Sequence, residues 1–197
     1  MRYLITPTLL NDWIYFMSCD EPNPAEILAK IRKDRRDSTP AMEKGIKFEN
    51  DVFQFVDGYR PGLKDEYWEC VEEVAAMVPG GIRQLVVKKE ILVDGVRYLL
   101  YGKVDHLAGP VGTDIKFTEH YEFPKYKDTA QHPVYLECLG TVPEFRYIIS
   151  DGRRVYLEQY TALECPPAAQ LVREFIGGIK RWPEAWETFD QKWRAYE

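Results

Sequence analysis

Asp105, Asp114 and Lys116 lie within one short stretch, Tyr98 to Thr118, that reads YLLYGKVDHLAGPVGTDIKFT. Alternate residues of a strand share a face, so Asp114 and Lys116 on one strand aim at the same region. A turn at Gly109-Pro110-Val111-Gly112 would fold Asp105 back beside them. Two carboxylates and an ammonium at one point make a site for metal-assisted hydrolysis. Carboxylate oxygens hold a hard divalent cation such as Mg²⁺, and the lysine orients or activates water and offsets developing charge. Asp-x-Lys alone is usually a solvated strand face carrying a weak surface pair. Here the flanking Val104, Leu107, Ile115 and Phe117 are apolar, so the strands are expected to be buried. A buried Asp or Lys needs a partner or a metal.

Two further groups extend the constellation. Glu49, in Gly45-Ile46-Lys47-Phe48-Glu49, offers a third carboxylate from a helix; by itself it would be a solvated helix acid. Gly45 costs that helix about 1 kcal/mol against alanine, which marks it for close backbone approach to the sheet. Gln131 and Tyr135 are four apart and share one face of a later helix. Beyond ordinary helix packing, such a pair can position water or bond a phosphate oxygen.

The elements that must place these residues read as follows. Thr6-Pro7-Thr8 opens a first helix, and a second covers about Ala25 to Arg36. A third runs from about Ala41 to Asp57, with Ile46, Phe48, Val52, Phe53 and Val56 as its apolar stripe. A fourth spans about Asp65 to Met77. Strands follow at Gln84 to Val93 and Val96 to Ala108 about an Asp94-Gly95 turn, then at Val111 to Thr118. A helix covers Lys127 to Leu139, with Pro133 in or near its first turn. A second hairpin, Glu144 to Ser150 and Arg153 to Ala162, precedes a closing helix after Pro166-Pro167, divided near Gly177-Gly178 and Pro183. The spaced aromatics Trp182, Trp186, Phe189, Trp193 and Tyr196 read as core packing. This order predicts an α/β fold: one domain over residues 1–197 with a central, mostly antiparallel or mixed sheet flanked by helices. Helices fill about 6–78, and a helical extension covers about 166–197.

Composition narrows the classes. No run approaches the ~18 apolar residues of a membrane span. Asn11 and Asp12 interrupt the only candidate leader, so a cytoplasmic protein is expected, with no membrane partner. Cys19, Cys70, Cys138 and Cys165 contain no CxxC pair, so reduced, packed cysteines are the default. A net charge of −6 counts mildly against a dedicated nucleic-acid binder. Against that, Arg32, Lys33, Arg35 and Arg36 form with Lys30 a dense basic run. It is either a solvated helix end or a phosphate-contacting patch.

The sequence resembles the PD-(D/E)XK nuclease superfamily in its RecB-like and phage-exonuclease branch. GIKFE (Gly45–Glu49), GKVD (Gly102–Asp105), DIK (Asp114–Lys116) and QHPVY (Gln131–Tyr135) fall in that family's order on helix, strand, strand and helix. The opening TPTLLNDW is similar to the helix start of that branch. The resemblance implies a restriction-endonuclease-like core and a Mg²⁺- or Mn²⁺-dependent phosphodiesterase acting on DNA. By position, Asp105, Asp114, Glu49 and the Ile115 carbonyl would hold the metal, and Lys116 would position or deprotonate water. Gln131 and Tyr135 would support the site or hold the strand. Two departures stand out: Val104 replaces the proline that precedes the first aspartate, and Glu49 stands where many RecB-like members have histidine. The iron–sulfur members carry three clustered late cysteines; only Cys165 is late here, so no iron–sulfur cluster is expected.

An exonuclease in phage or prophage recombination, repair or end processing is the resulting expectation. The competing readings are a nuclease-fold binding or assembly module without turnover, and an RNA-directed nuclease. A homo-oligomeric ring would make cleavage processive, and a recombination partner protein could supply DNA affinity to an acidic chain.

Overall fold

The computed structural model describes residues 1–35, 37–60, 65–78 and 80–195. Its strands are β1 (Arg2–Ile5), β2 (Ile82–Val93), β3 (Val96–Ala108), β4 (Val111–Phe117), β5 (Glu144–Ser150) and β6 (Val155–Thr161). The helices are α1 (Pro7–Ser18), α2 (Pro24–Arg32), α3 (Pro40–Val56), α4 (Trp68–Met77), α5 (Gln131–Leu139), α6 (Ala168–Ile179) and α7 (Pro183–Lys192). The α/β class is as expected, and the sheet is mixed. β2–β3, β3–β4 and β5–β6 are antiparallel, while β1–β3 and β4–β5 are parallel.

β3 is the hub. β2 pairs with one edge along nearly its whole length, from Val93–Val96 to Ile82–Leu107. The other edge is shared: β1 takes Arg97–Leu100, and β4 takes only His106–Ala108. Between those two partners, residues 101–105 face a gap, and the acids gather there.

Several expected boundaries shift for local reasons. The turn is only Gly109-Pro110; Val111 and Gly112 already pair with Ala108 and Leu107. α2 stops at Arg32 because Lys33 adopts a left-handed conformation at φ 62°, which ends a helix. α5 begins at Gln131 rather than Lys127, where the Asn11 side chain of α1 accepts the Ala130 N–H at 2.6 Å. α6 runs through both glycines to Ile179, and Pro183 opens α7. β1 was not expected, since RYLI is too short to show a period.

The main core joins both ends of the chain. Tyr3 and Ile5 of β1 pack with Leu9, Leu10, Phe175 and Phe189. Leu4 N–H donates to the Trp193 carbonyl at 2.7 Å, and Trp193 Nε1 donates to the Ile31 carbonyl at 2.7 Å. Burying each such aromatic contributes roughly 2 kcal/mol. The C-terminal helices are therefore part of the core rather than an appendage; Tyr196 lies outside the described residues. A second cluster seats α3 and α4 against the sheet through Phe48, Val52, Val71, Ile115 and Ile148.

Two glycines separate packing need from conformational cost. A Cβ on Gly102 would collide with the Tyr135 ring, so bare backbone here is what lets α5 lie against β3. A Cβ on Gly45 would meet nothing within 4 Å, which corrects the expectation of close approach to the sheet. Gly45→Ala should therefore raise unfolding stability by about 0.5–1 kcal/mol, and Gly102→Ala should lower it. Urea denaturation of the two variants checks both signs.

Candidate active site

β3 and β4 part after the His106–Thr113 pair. Beyond it, the Asp105 carboxylate stands in for a ladder carbonyl: Oδ2 accepts the Ile115 N–H at 2.9 Å. Asp105 on β3 and Asp114 on β4 therefore flank one opening, and Asp114 is 2% exposed. Lys116 Nζ stands 2.6 Å from Asp114 Oδ2. That contact is a charge-assisted pair, and it places the ammonium directly against the buried carboxylate oxygen.

α5 closes the opening from behind. Gln131 Nε2 donates to Asp114 Oδ1 at 2.5 Å, and the Tyr135 hydroxyl donates to the Lys103 carbonyl at 2.8 Å. Tyr135 is buried, so it braces β3 and presents nothing to a substrate. Glu49 reaches the site from α3, and Gln84 joins it to Asp105: the Gln84 amide donates to Glu49 Oε1 and, at 3.4 Å, to Asp105 Oδ1. Ile115 is at the site through its N–H. Glu49, Asp105, Asp114, Lys116, Gln131 and Tyr135 are thus brought to one place.

Gln84 escaped the sequence reading. Its φ of 50° is a strained conformation for a residue within a strand, and such strain is tolerated where the surroundings fix it. The signal was present: pairs counted back from the Asp94-Gly95 turn put Gln84 opposite Asp105. Asn11, which fixes the start of α5, was also missed.

The electrostatics show a cluster short of positive charge. Burial first, then the Asp114 and Glu49 carboxylates, push the Asp105 carboxyl up to about 8. Glu49 is likewise raised by burial and by Asp114, against Lys116, Lys103 and the Gln84 bond. Burial pulls the Lys116 ammonium down, but Asp114 beside it and Asp105 more than offset this, so it ends above the ordinary lysine value. Lys116 is a held cation here, suited to orienting and stabilising charge rather than to accepting a proton.

No group of three or more His, Cys, Asp or Glu among the described residues is arranged to hold a metal ion; the partners of the carboxylate oxygens are Gln84, Gln131, Ile115 and Lys116. In its chemistry the donor set fits a hard divalent cation: the converging donors of Glu49, Asp105 and Asp114 are carboxylate oxygens.

Most of the described cations of the basic run meet partners close by. Arg32 pairs with Asp34 at 3.4 Å, and Lys30 pairs with Asp12 at 2.7 Å. Lys33 lies over the Trp193 ring, 4.1 Å from its centroid. Arg35 is exposed beyond the helix end, and Arg36 lies outside the described residues. Three of these cations are thereby engaged in local structure.

The fold is similar to that of the crystal structure of SSO0001. That likeness covers 96% of this chain and 77% of the other, with a TM-score of 0.55 and 15% sequence identity. At that identity the likeness shows the fold alone. No protein-family model and no curated protein matches the chain.

Between the ordinary aspartate range and about pH 8, folded Asp105 holds a proton that the unfolded chain has released, so stability falls as pH rises through that window. In EDTA, the melting temperature of the wild type should drop from about pH 5 to about pH 8 relative to that of Asp105→Asn. Millimolar Mg²⁺ should reduce the drop. Parallel curves for the two proteins would remove Asp105 as its source.

Proposed function

We propose that the chain is a metal-dependent DNA nuclease of the PD-(D/E)XK type, built on a restriction-endonuclease-like core and acting in the cytoplasm on DNA ends. The observation that carries this reading is the opening between β3 and β4. Asp105 and Asp114 flank it, Lys116 lies two residues on, and Glu49 arrives from α3. A non-catalytic module has no evident use for three partly buried carboxylates crowded against one ammonium.

Asp105, Asp114 and Glu49 would hold Mg²⁺ or Mn²⁺, with the Ile115 carbonyl as a further oxygen donor. Such an ion polarises the scissile phosphate and lowers the pKa of water. Lys116 donates hydrogen bonds from its ammonium to the attacking water or to a phosphate oxygen, where it offsets the negative charge that builds in the transition state. Gln131 fixes the Asp114 carboxylate, and Gln84 orients Glu49 and Asp105 together. Tyr135 keeps β3 at its distance from α5. Action at ends, and a role in recombination or repair, follow from the family resemblance; a homo-oligomer or a partner protein would supply processivity or DNA affinity.

The test is incubation of end-labelled linear DNA and closed circular DNA with Mg²⁺, Mn²⁺ or EDTA. Metal-dependent loss of the linear substrate alone is expected. Asp114→Asn should reduce that loss by about 100-fold or more while remaining folded, and Lys116→Ala by about 100-fold. Full activity in Asp114→Asn would sink the assignment. Tight binding without cleavage by the wild type would select the binding-module reading, and cleavage confined to RNA the third.

A further inference from the structure

The face of the β2–β3 hairpin that α5 and α6 leave open leads directly into the acid cluster. Tyr101, Lys103 and Asp105 are alternate residues of β3 and share that face; Gly102 and Val104 between them are buried on the other. β2 sets Lys88 opposite Tyr101, Val86 opposite Lys103, and in the same register Gln84 opposite Asp105. Tyr101 is 39% exposed and Val86 51%, and both lysines are exposed. The neighbouring charges are already engaged. Glu90 is held by Arg2 and Arg97, while Lys89, on the covered face, pairs with Glu137 of α5. Lys88 and Lys103 enter no ion pair with a described residue.

We infer that this face is the track for the substrate, taken as a single strand of nucleic acid: Lys103 and Lys88 meet successive phosphates, and one unpaired base stacks on Tyr101. The inference rests on the nuclease reading above and adds to it where the strand runs and in what form. Spacing is one argument. Alternate strand residues are about 7 Å apart, on the order of one nucleotide of extended backbone, so Tyr101, Lys103 and Asp105 lie in step with a strand entering the site. Charge is a second: two exposed cations that form no ion pair with a described residue border a cluster of carboxylates that would otherwise repel a polyanion. Rigidity is a third. The Lys103 carbonyl is held by Tyr135, on the same helix whose Gln131 holds Asp114, so track and site share one support. A single strand fits better than a duplex, because two β-strands about 5 Å apart offer a narrow platform and an aromatic ring stacks only on a base that is free.

The experiment is fluorescence anisotropy with a labelled single-stranded oligodeoxynucleotide, the matching oligoribonucleotide and the blunt duplex, in Mg²⁺ on an Asp114→Asn background. Lys88→Ala and Lys103→Ala should each weaken single-strand binding and reduce the slope of log affinity against log salt by about 0.7. Tyr101→Ala should weaken single-strand binding by roughly 10-fold and leave duplex binding unchanged, and Tyr101→Phe should restore it. These positions are exposed, and circular dichroism confirms folding. Unchanged affinity and salt slope in the variants, beside a parent that binds, overturn the track while leaving the catalytic site standing. Equal losses for the duplex overturn the single-strand assignment. Self-association that Tyr101→Ala abolishes, with no change in oligonucleotide affinity, would give the face to a second copy and overturn the track as well. A parent that binds no nucleic acid, with a wild type that cleaves none, overturns the nuclease reading itself.

Discussion

The separation of β3 from β4 is the constraint on which everything else in the site depends. Antiparallel strands joined by a two-residue turn would ordinarily stay paired. Here they pair for three residues and then diverge, because the outer edge of β4 pairs in parallel with β5 along its full length. The divergence leaves backbone groups that must find partners or remain unsatisfied. Asp105 supplies one by accepting the Ile115 N–H, and Tyr135 supplies another by donating to the Lys103 carbonyl. The same two residues thereby fix the width of the opening. Asp105 is a structural acceptor and a candidate ligand at once, which ties the site's chemistry to the sheet's integrity.

A second anchor holds the approach to α5. Glu158 on β6 is 1% exposed and accepts from the Tyr121 hydroxyl, the Lys125 and Tyr126 N–H groups and the Tyr160 hydroxyl. Burial works to raise its pKa, but these donors outweigh it and hold the carboxyl below its usual value. A charge so fully solvated by protein donors can remain ionised in the interior. The loop it gathers places the Tyr126 ring against Tyr147, with centroids 4.7 Å apart. Tyr147 is the β5 register partner of Asp114, so this edge of the acid cluster is walled by stacked aromatics and its position is set from β6.

The residues that carry the candidate chemistry were legible because chemistry constrains residue type and strand period constrains direction. Asp105, Asp114, Lys116, Glu49, Gln131 and Tyr135 could be singled out without coordinates, and they do converge. What was not legible depends on three-dimensional accidents of neighbourhood. The basic run reads in one dimension only as charge, yet Asp12, Asp34 and Trp193 each engage one of its described cations. Gly45 carries a helix penalty in sequence, but only the surroundings reveal that no close approach required it. β1 is too short to declare a period, and its partners lie in β3 and beside Trp193, far along the chain. Gln84 sits in an ordinary strand pattern, and only its backbone conformation and its bonds to two acids mark it.

Charge balance links these pieces. When Glu49, Asp105 and Asp114 are all ionised, Lys116 neutralises one of three negative charges, and the two left over are what one divalent cation would balance. The cluster's negative charge is met in several ways: Asp105 holds its proton to higher pH, Lys116 stands against Asp114, and two glutamine amides donate to carboxylates. Removing Lys116 alone would deepen the charge deficit, whereas amidating Asp114 would relieve part of it. Backbone geometry on β3 and β4 thus sets where the carboxylates stand, and the side chains of Lys116, Gln84 and Gln131 set how their charge is met.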